Sequence, residues 1–155
     1  MKEEKGWKPI PLSLKIIFVV FILWSIGSIL NLSNIYDSGI PFLGVFVYGM
    51  VASFIAVLLD IVAPVTFLFA LWNRKSWAAS FALSYITFFI INGTVAFFTV
   101  RNQLGLPQIL IPTIANIIFF IVIYQKRSYF NAKEFHWSVT SGETGTPLQQ
   151  KHFSL

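Results

Sequence analysis

The chain has 155 residues, of which 56% are hydrophobic and only 11% are charged, and its formal net charge is +5. Soluble domains carry about 25% charged residues, so this composition excludes a soluble single-core protein and is typical of a membrane protein. The chain contains no cysteine, which excludes a disulfide framework, a thiolate nucleophile and a Cys-ligated metal site.

Four apolar runs are each long enough to cross the ~30 Å hydrocarbon core of a bilayer. After a short N-terminal tail, 1–11, they predict transmembrane helices near 12–32, 50–72, 77–100 and 107–125. The first run is too long for a signal peptide and has no small-residue cleavage site behind it, so we expect it to be retained. The predicted fold class is all-α: a polytopic membrane protein with an antiparallel bundle of four transmembrane helices over 12–125.

Basic residues are distributed unevenly around these four spans. With the N-terminus in the cytoplasm, all but one of the 11 Lys and Arg residues lie on the cytoplasmic side, and the exception is Arg101. Cytoplasmic loops retain basic residues, so we expect a plasma-membrane protein with both termini cytoplasmic. The same basic clusters favour anionic lipid headgroups at the inner face as partners, and they give no reason to expect nucleic acid.

The longest connection between spans, 33–49, is apolar in its second half. One straight helix over 41–72 would be about 48 Å long at 1.5 Å per residue, well beyond the bilayer core. Gly44 and Gly49 favour a short interfacial or re-entrant piece before the second span. An outward extension of a tilted helix is the alternative.

Asp60 is the only acidic residue inside a predicted span. A carboxylate near the bilayer centre costs about 2.5–3.5 kcal/mol on insertion scales, so such residues usually face protein or water. At 1.5 Å per residue, Asn92 and Asn116 lie at a similar depth, which predicts a polar midplane cluster of Asp60, Asn92 and Asn116. A protonated Asp60 could donate to either amide and fix the helix register, or it could be a protonatable or cation-binding site in a transport path. A pair with Arg101 is a third interpretation.

Small residues surround Asp60 on one face of the second span, at helical spacings of three and four. This stripe predicts a helix-packing surface formed by Gly49, Ser53, Ala56, Ala63 and Pro64. Pro64 lacks the N–H that would bond the carbonyl of residue 60, so we also expect a kink there.

The segment 126–137, after the last span, is basic and aromatic and is expected at the headgroup level, whereas the tail 138–155 is expected to be disordered. The junctions 72–78 (Trp-Asn-Arg-Lys-Ser-Trp-Ala) and 126–130 (Lys-Arg-Ser-Tyr-Phe) resemble those of small, uncharacterised prokaryotic four-helix integral membrane proteins. The resemblance implies a plasma-membrane four-span fold and brings no known activity.

Both histidines, His136 and His152, lie in the C-terminal region, and no motif of an intramembrane hydrolase or nucleotide-binding site is present. We therefore expect no catalytic residues, no cofactor and no metal. The first functional hypothesis is a scaffold or accessory subunit that associates through helix packing, as a homo-oligomer or with another membrane subunit. The alternative is a small proton- or cation-coupled transporter or channel that uses Asp60.

Overall fold

The computed structural model describes residues 7–8 and 10–130. It is mostly helical, and four of its helices are long and apolar enough to cross a membrane. The four predicted spans are thus confirmed as helices able to cross a membrane, and the all-α prediction holds in the coarser sense that the chain is mostly helical. The elements are α1 (Leu12–Leu30), α2 (Leu32–Ser38), β1 (Ile40–Phe42), β2 (Val45–Val47), α3 (Gly49–Ala56), a π-helical segment (Val57–Val62), α4 (Ala63–Trp72), α5 (Ala78–Thr99) and α6 (Leu106–Gln125). The predicted tail 138–155 lies outside the described residues, as do 131–137 and most of 1–11.

The second span is continuous from α3 through the π-helical segment to α4, but Pro64 distorts it. In the π-helical segment the Ala63 N–H donates to the carbonyl of Leu58, five residues earlier. The next donor in that register would be Pro64, which has no N–H, so it cannot bond the carbonyl of Leu59. The Tyr85 hydroxyl on α5 donates to this carbonyl instead, with an O···O distance of 2.8 Å. The distortion expected at Pro64 therefore takes the form of a π-helical segment that contains Asp60.

A β-hairpin forms the connection between α2 and α3, which departs from the all-α prediction. Strands β1 and β2 pair antiparallel, with Phe42 opposite Val45. The two residues between them, Leu43 and Gly44, have φ values of 46° and 90°, and a two-residue type I′ turn requires positive φ at both positions. The alternative of a helix extended outward over this segment is wrong, and the short irregular piece is a folded-back hairpin.

The buried core lies at the end of the bundle where α1 and α5 begin and α4 and α6 end, which we call the termini end. The Phe21 ring packs edge-on against the rings of Phe67 and Phe119, at centroid distances of 5.6 and 5.8 Å. Lipid tails are as apolar as these side chains, so close packing stabilises the association of the helices here. The most deeply buried large side chains of this core are Leu14, Ile17, Phe67, Leu71, Ile86, Ile123 and Phe130.

The opposite end, which carries the hairpin and which we call the hairpin end, is less tightly filled. Here α5 packs against α6 and α2 packs against α3, while α1 packs against the π-helical segment. Gly93 marks the close approach of α5 to α6, since a Cβ at this position would collide with the Thr113 hydroxyl oxygen. The buried hydrophobic cluster at this end is small and consists of Ile35, Ala52 and Ala56. A cavity therefore remains between the helices next to the hairpin.

Candidate functional site

A cavity of about 270 Å³ lies between α5 and α6 on one side and α1 with the π-helical segment on the other. Its volume equals that of about nine liquid waters at ~30 Å³ each. Asp60, Asn92 and Asn116 all line it, and so do the hairpin residues Pro41 and Phe42. The three residues of the predicted midplane cluster thus line one cavity, and residues of the hairpin form part of its wall.

Asp60 takes its hydrogen bond from the first helix. The Trp24 indole nitrogen donates to Asp60 Oδ1 at 3.2 Å. Trp24 was not among the predicted site residues, although the sequence held a signal. Tryptophan is enriched at membrane interfaces, whereas Trp24 is twelve residues, about 18 Å, from the start of α1. An indole N–H in an apolar environment usually finds an acceptor, and Asp60 provides it.

Asn92 bonds the backbone of the hairpin instead of the Asp60 side chain. Its Oδ1 accepts the backbone N–H of Leu43 at 2.7 Å, and its Nδ2 donates to the carbonyl of Pro41 at 3.2 Å. One side chain therefore uses both ends of its amide to bond the backbone of the turn, much as a neighbouring strand would. Gly44 allows the tip to approach α5, where a Cβ would lie 3.0 Å from a Val95 methyl group.

Asn116 bonds within its own helix, since its Nδ2 donates to the carbonyl of Pro112 at 2.9 Å. Among the hydrogen bonds of the described residues, none joins Asp60 to Asn92 or Asn116. The guanidinium group of Arg101 lies 5.9 Å from the centroid of the Phe97 ring, and no ion pair to Asp60 occurs within the described ranges. The three midplane residues thus share a cavity without forming one hydrogen-bonded cluster.

The charge of the cavity lining is set by Asp60. Among residues 7–8 and 10–130, the side chains that line it include no Lys, Arg or His, and the other polar residues are neutral amides, a threonine and an indole. Isolated ions are costly to hold in a low-dielectric environment, so an ionised Asp60 favours a cation beside it. The arrangement can take up a proton or a small cation, and it offers no nucleophile and base pair for covalent chemistry.

The small-residue stripe faces neighbouring elements of the same chain for part of its length. Ala56 is buried in the cluster with Ile35 of α2, and Pro64 is buried in the bundle. Ser53 and Ala63 are half-buried. Gly49 is half-buried too, and a Cβ there would meet no atom within 4 Å. The middle of the stripe therefore packs internally, whereas its N-terminal end does not.

No family model, no curated protein and no solved structure matches this chain.

Proposed function

We propose that this protein is a small multi-pass transporter or channel in which Asp60 binds a proton or another small cation inside the bundle. The observation that carries the proposal is the cavity of about 270 Å³, whose lining holds a single carboxylate and no basic side chain from the part of the chain that the structure describes. A carboxylate that served only to join helices would be expected in tight contact with packed partners. Asp60 instead borders a cavity, and within the described ranges its side chain accepts one hydrogen bond, from Trp24.

The Trp24 indole has a defined role in this proposal. It donates to one carboxylate oxygen, Oδ1, and so orients the group while the second oxygen stays available to a cation or proton. The π-helical segment contributes as well, because it presents Asp60 on a stretch of backbone whose hydrogen-bond register Pro64 has already interrupted.

The scaffold hypothesis has less support from the geometry. The surfaces predicted to associate with partners are partly used within the chain, since Ala56 and Pro64 are buried against its own helices. On α5, the small residues Ala78 and Ala82 are likewise fully buried in the core, whereas Ser80 and Ser84 are exposed. Association with a second copy or another membrane subunit stays a prediction.

We also propose a plasma-membrane location with both termini cytoplasmic, and the placement of the basic residues supports it. At the termini end, Lys15 Nζ lies 5.4 Å from the centroid of the Trp7 ring, and the Arg74 guanidinium lies 4.7 Å from that of Tyr129. Arg101, in the loop after α5, lies at the opposite end of that helix. Cytoplasmic ends of membrane spans are enriched in Lys and Arg, which makes the termini end the inner one. Anionic headgroups would then contact this end.

The Asp60→Asn variant tests the function. Asparagine preserves the shape of the side chain but cannot ionise. Parent and variant are reconstituted into liposomes, and proton, Na⁺ and K⁺ fluxes are followed with internal dyes under an imposed gradient. We expect the variant to lose the flux that the parent shows above empty liposomes. Asp37→Asn is the matched control, because it makes the same substitution at an exposed residue of α2.

Folding of each variant is checked by circular dichroism and size-exclusion chromatography in detergent. If Asp60→Asn proves unstable, Asp60→Glu serves as a second variant. It keeps the charge and should retain part of the flux. Equal flux in the parent and in a folded Asp60→Asn variant would refute the proposal. A parent without flux of any of the three cations, whose assembly weakens in Asp60→Leu but not in Asp60→Asn, would favour the scaffold instead.

A further inference from the structure

A second, wider cavity of about 820 Å³ extends from Asp60 along α1 and α2 toward the hairpin end. It shares five lining residues with the cavity described above, among them Trp24, Asp60 and Gln108. The hydrogen-bonded pair of Trp24 and Asp60 therefore lies where the two cavities meet. We call the second cavity the α1–α2 groove.

The lining of the α1–α2 groove is largely apolar, but one row of polar side chains runs through it. Ser28, Asn31, Asn34 and Ser38 follow one another at intervals of three, three and four residues and all line it. Asn34 Nδ2 donates to Asn31 Oδ1 at 2.8 Å, which links α2 to the end of α1. Polar groups at membrane depth are tolerated where they line water or protein rather than lipid. This row of hydroxyl and amide groups offers water a succession of hydrogen-bonding partners beside the apolar part of the lining.

The groove is short. Trp24 is six residues before Leu30, the last residue of α1, so the Trp24–Asp60 pair lies about 9 Å from that end at 1.5 Å per residue. Ser28 lies between the two, about one turn above Trp24. A hydrated cation thus needs to pass only one to two helical turns to reach the carboxylate.

The opposite direction is closed by apolar packing. From Trp24 to Leu12, the start of α1, the distance is about 18 Å. Over this length Leu14, Ile17 and Phe21 are buried, with exposed fractions of 0%, 2% and 6%. A small cavity of about 100 Å³ next to Phe21 is lined mostly by apolar side chains and offers no continuation of the polar lining.

We infer that water and small hydrated cations reach Asp60 from the hairpin end only, through the α1–α2 groove lined by Ser28, Asn31, Asn34 and Ser38. The inference rests on the proposed function, since it names the route to the same carboxylate and the side from which it is used. The solute is then a small cation that arrives with its hydration water rather than dissolved in lipid. With the hairpin end outside, the site faces the exterior in this conformation.

Single-cysteine variants test the route, and the cysteine-free chain needs no background substitutions. Ser28→Cys in the groove is compared with Ser25→Cys, the same change three residues away at a buried serine. Ile29→Cys places the thiol on an exposed face of α1 outside the groove lining. Each variant is reconstituted in liposomes and treated with a membrane-impermeant cationic methanethiosulfonate. Cysteines at Lys75 and Asn102 report which bundle end the reagent reaches.

We expect Ser28→Cys to react from the side on which the Asn102→Cys thiol reacts, and not from the side of Lys75→Cys. The reaction should be at least about tenfold faster than for Ser25→Cys and Ile29→Cys, because each unit by which an apolar environment raises a thiol pKa lowers the reactive thiolate about tenfold. Modification at Ser28→Cys should also block the Asp60-dependent flux, whereas treatment of the Ile29→Cys variant should leave it intact.

The route and the function can fail separately. If Asp60→Asn abolishes flux but Ser28→Cys is unreactive, or its modification leaves flux unchanged, the route is wrong and the proposed function holds. Reaction of Ser28→Cys from the termini end would overturn the inferred sidedness. If Ser28→Cys reacts as expected while Asp60→Asn leaves flux unchanged, the groove is supported and the proposed function is refuted.

Discussion

Replacing Asn92 with leucine should release the β-hairpin from α5 without changing the size of the side chain greatly. The substitution removes two hydrogen bonds, from the Leu43 N–H at 2.7 Å and to the Pro41 carbonyl at 3.2 Å. At about 0.5–1.5 kcal/mol net for each bond, the loss is about 1–3 kcal/mol. The average for membrane proteins, about 0.6 kcal/mol per bond, agrees with the lower end of this range.

The loss concerns a strained part of the chain. Leu43 has a φ of 46°, a left-handed conformation that non-glycine residues rarely adopt, and such residues persist only when surrounding contacts hold them. Without Asn92 the turn should open more often. A change of about 1–3 kcal/mol in the free energy of opening raises the exchange rate of the hairpin amide hydrogens about 5- to 150-fold.

Amide hydrogen exchange in detergent micelles or nanodiscs measures this effect, and Asn116→Leu is the matched control. Asn116 lines the same cavity, but its amide bonds the carbonyl of Pro112 in its own helix. We expect faster exchange over the hairpin in Asn92→Leu and unchanged hairpin exchange in Asn116→Leu. Unchanged exchange in Asn92→Leu, or equal acceleration in both variants, would refute the view that Asn92 clamps the hairpin.

Two further predictions concern helix packing. Gly93→Ala adds a Cβ that collides with the Thr113 hydroxyl, so we expect overpacking to lower the unfolding free energy in detergent by about 1–3 kcal/mol. Gly27→Ala, where no atom lies within 4 Å of the new Cβ, should be neutral or slightly stabilising, and equal losses in both variants would contradict the close helix approach. Tyr85→Phe leaves a carbonyl of the π-helical segment without its donor and should cost about 1–3 kcal/mol. Pro64→Ala restores a backbone N–H, so the double variant should lose less than the sum of the two single losses.

The sequence was informative where the composition of long segments decides the structure. The four spans follow from runs of apolar residues longer than the bilayer core requires, and no competing structure satisfies the backbone in lipid as simply. The depth of Asp60, Asn92 and Asn116 followed from helix rise alone, which explains why all three line one cavity. Depth is a one-dimensional quantity, however, and it cannot show which partner each side chain bonds.

The partners depended on tertiary contacts that helix periodicity does not encode. The β-hairpin has strands of only three residues each, and its turn places a leucine where glycine or asparagine would be expected. Asn92, on another helix, holds that turn, so its role becomes visible only in the folded chain. Trp24 similarly meets Asp60 across 36 residues of sequence.

The asymmetry of the bundle follows from where the chain places its large and small side chains. At the termini end, phenylalanine and leucine side chains such as Phe67 and Leu71 fill most of the space between the helices. At the hairpin end, the hairpin backbone is bonded to Asn92 of α5, and the buried residues of the second span there are the alanines Ala52 and Ala56 instead of rings. The bundle is therefore more tightly packed at the termini end than at the hairpin end, as the inferred one-sided route to Asp60 requires. Asp60 lies at the transition between these halves, because Pro64 interrupts the helix one turn after it and the π-helical segment turns its carboxylate toward Trp24 and the cavity.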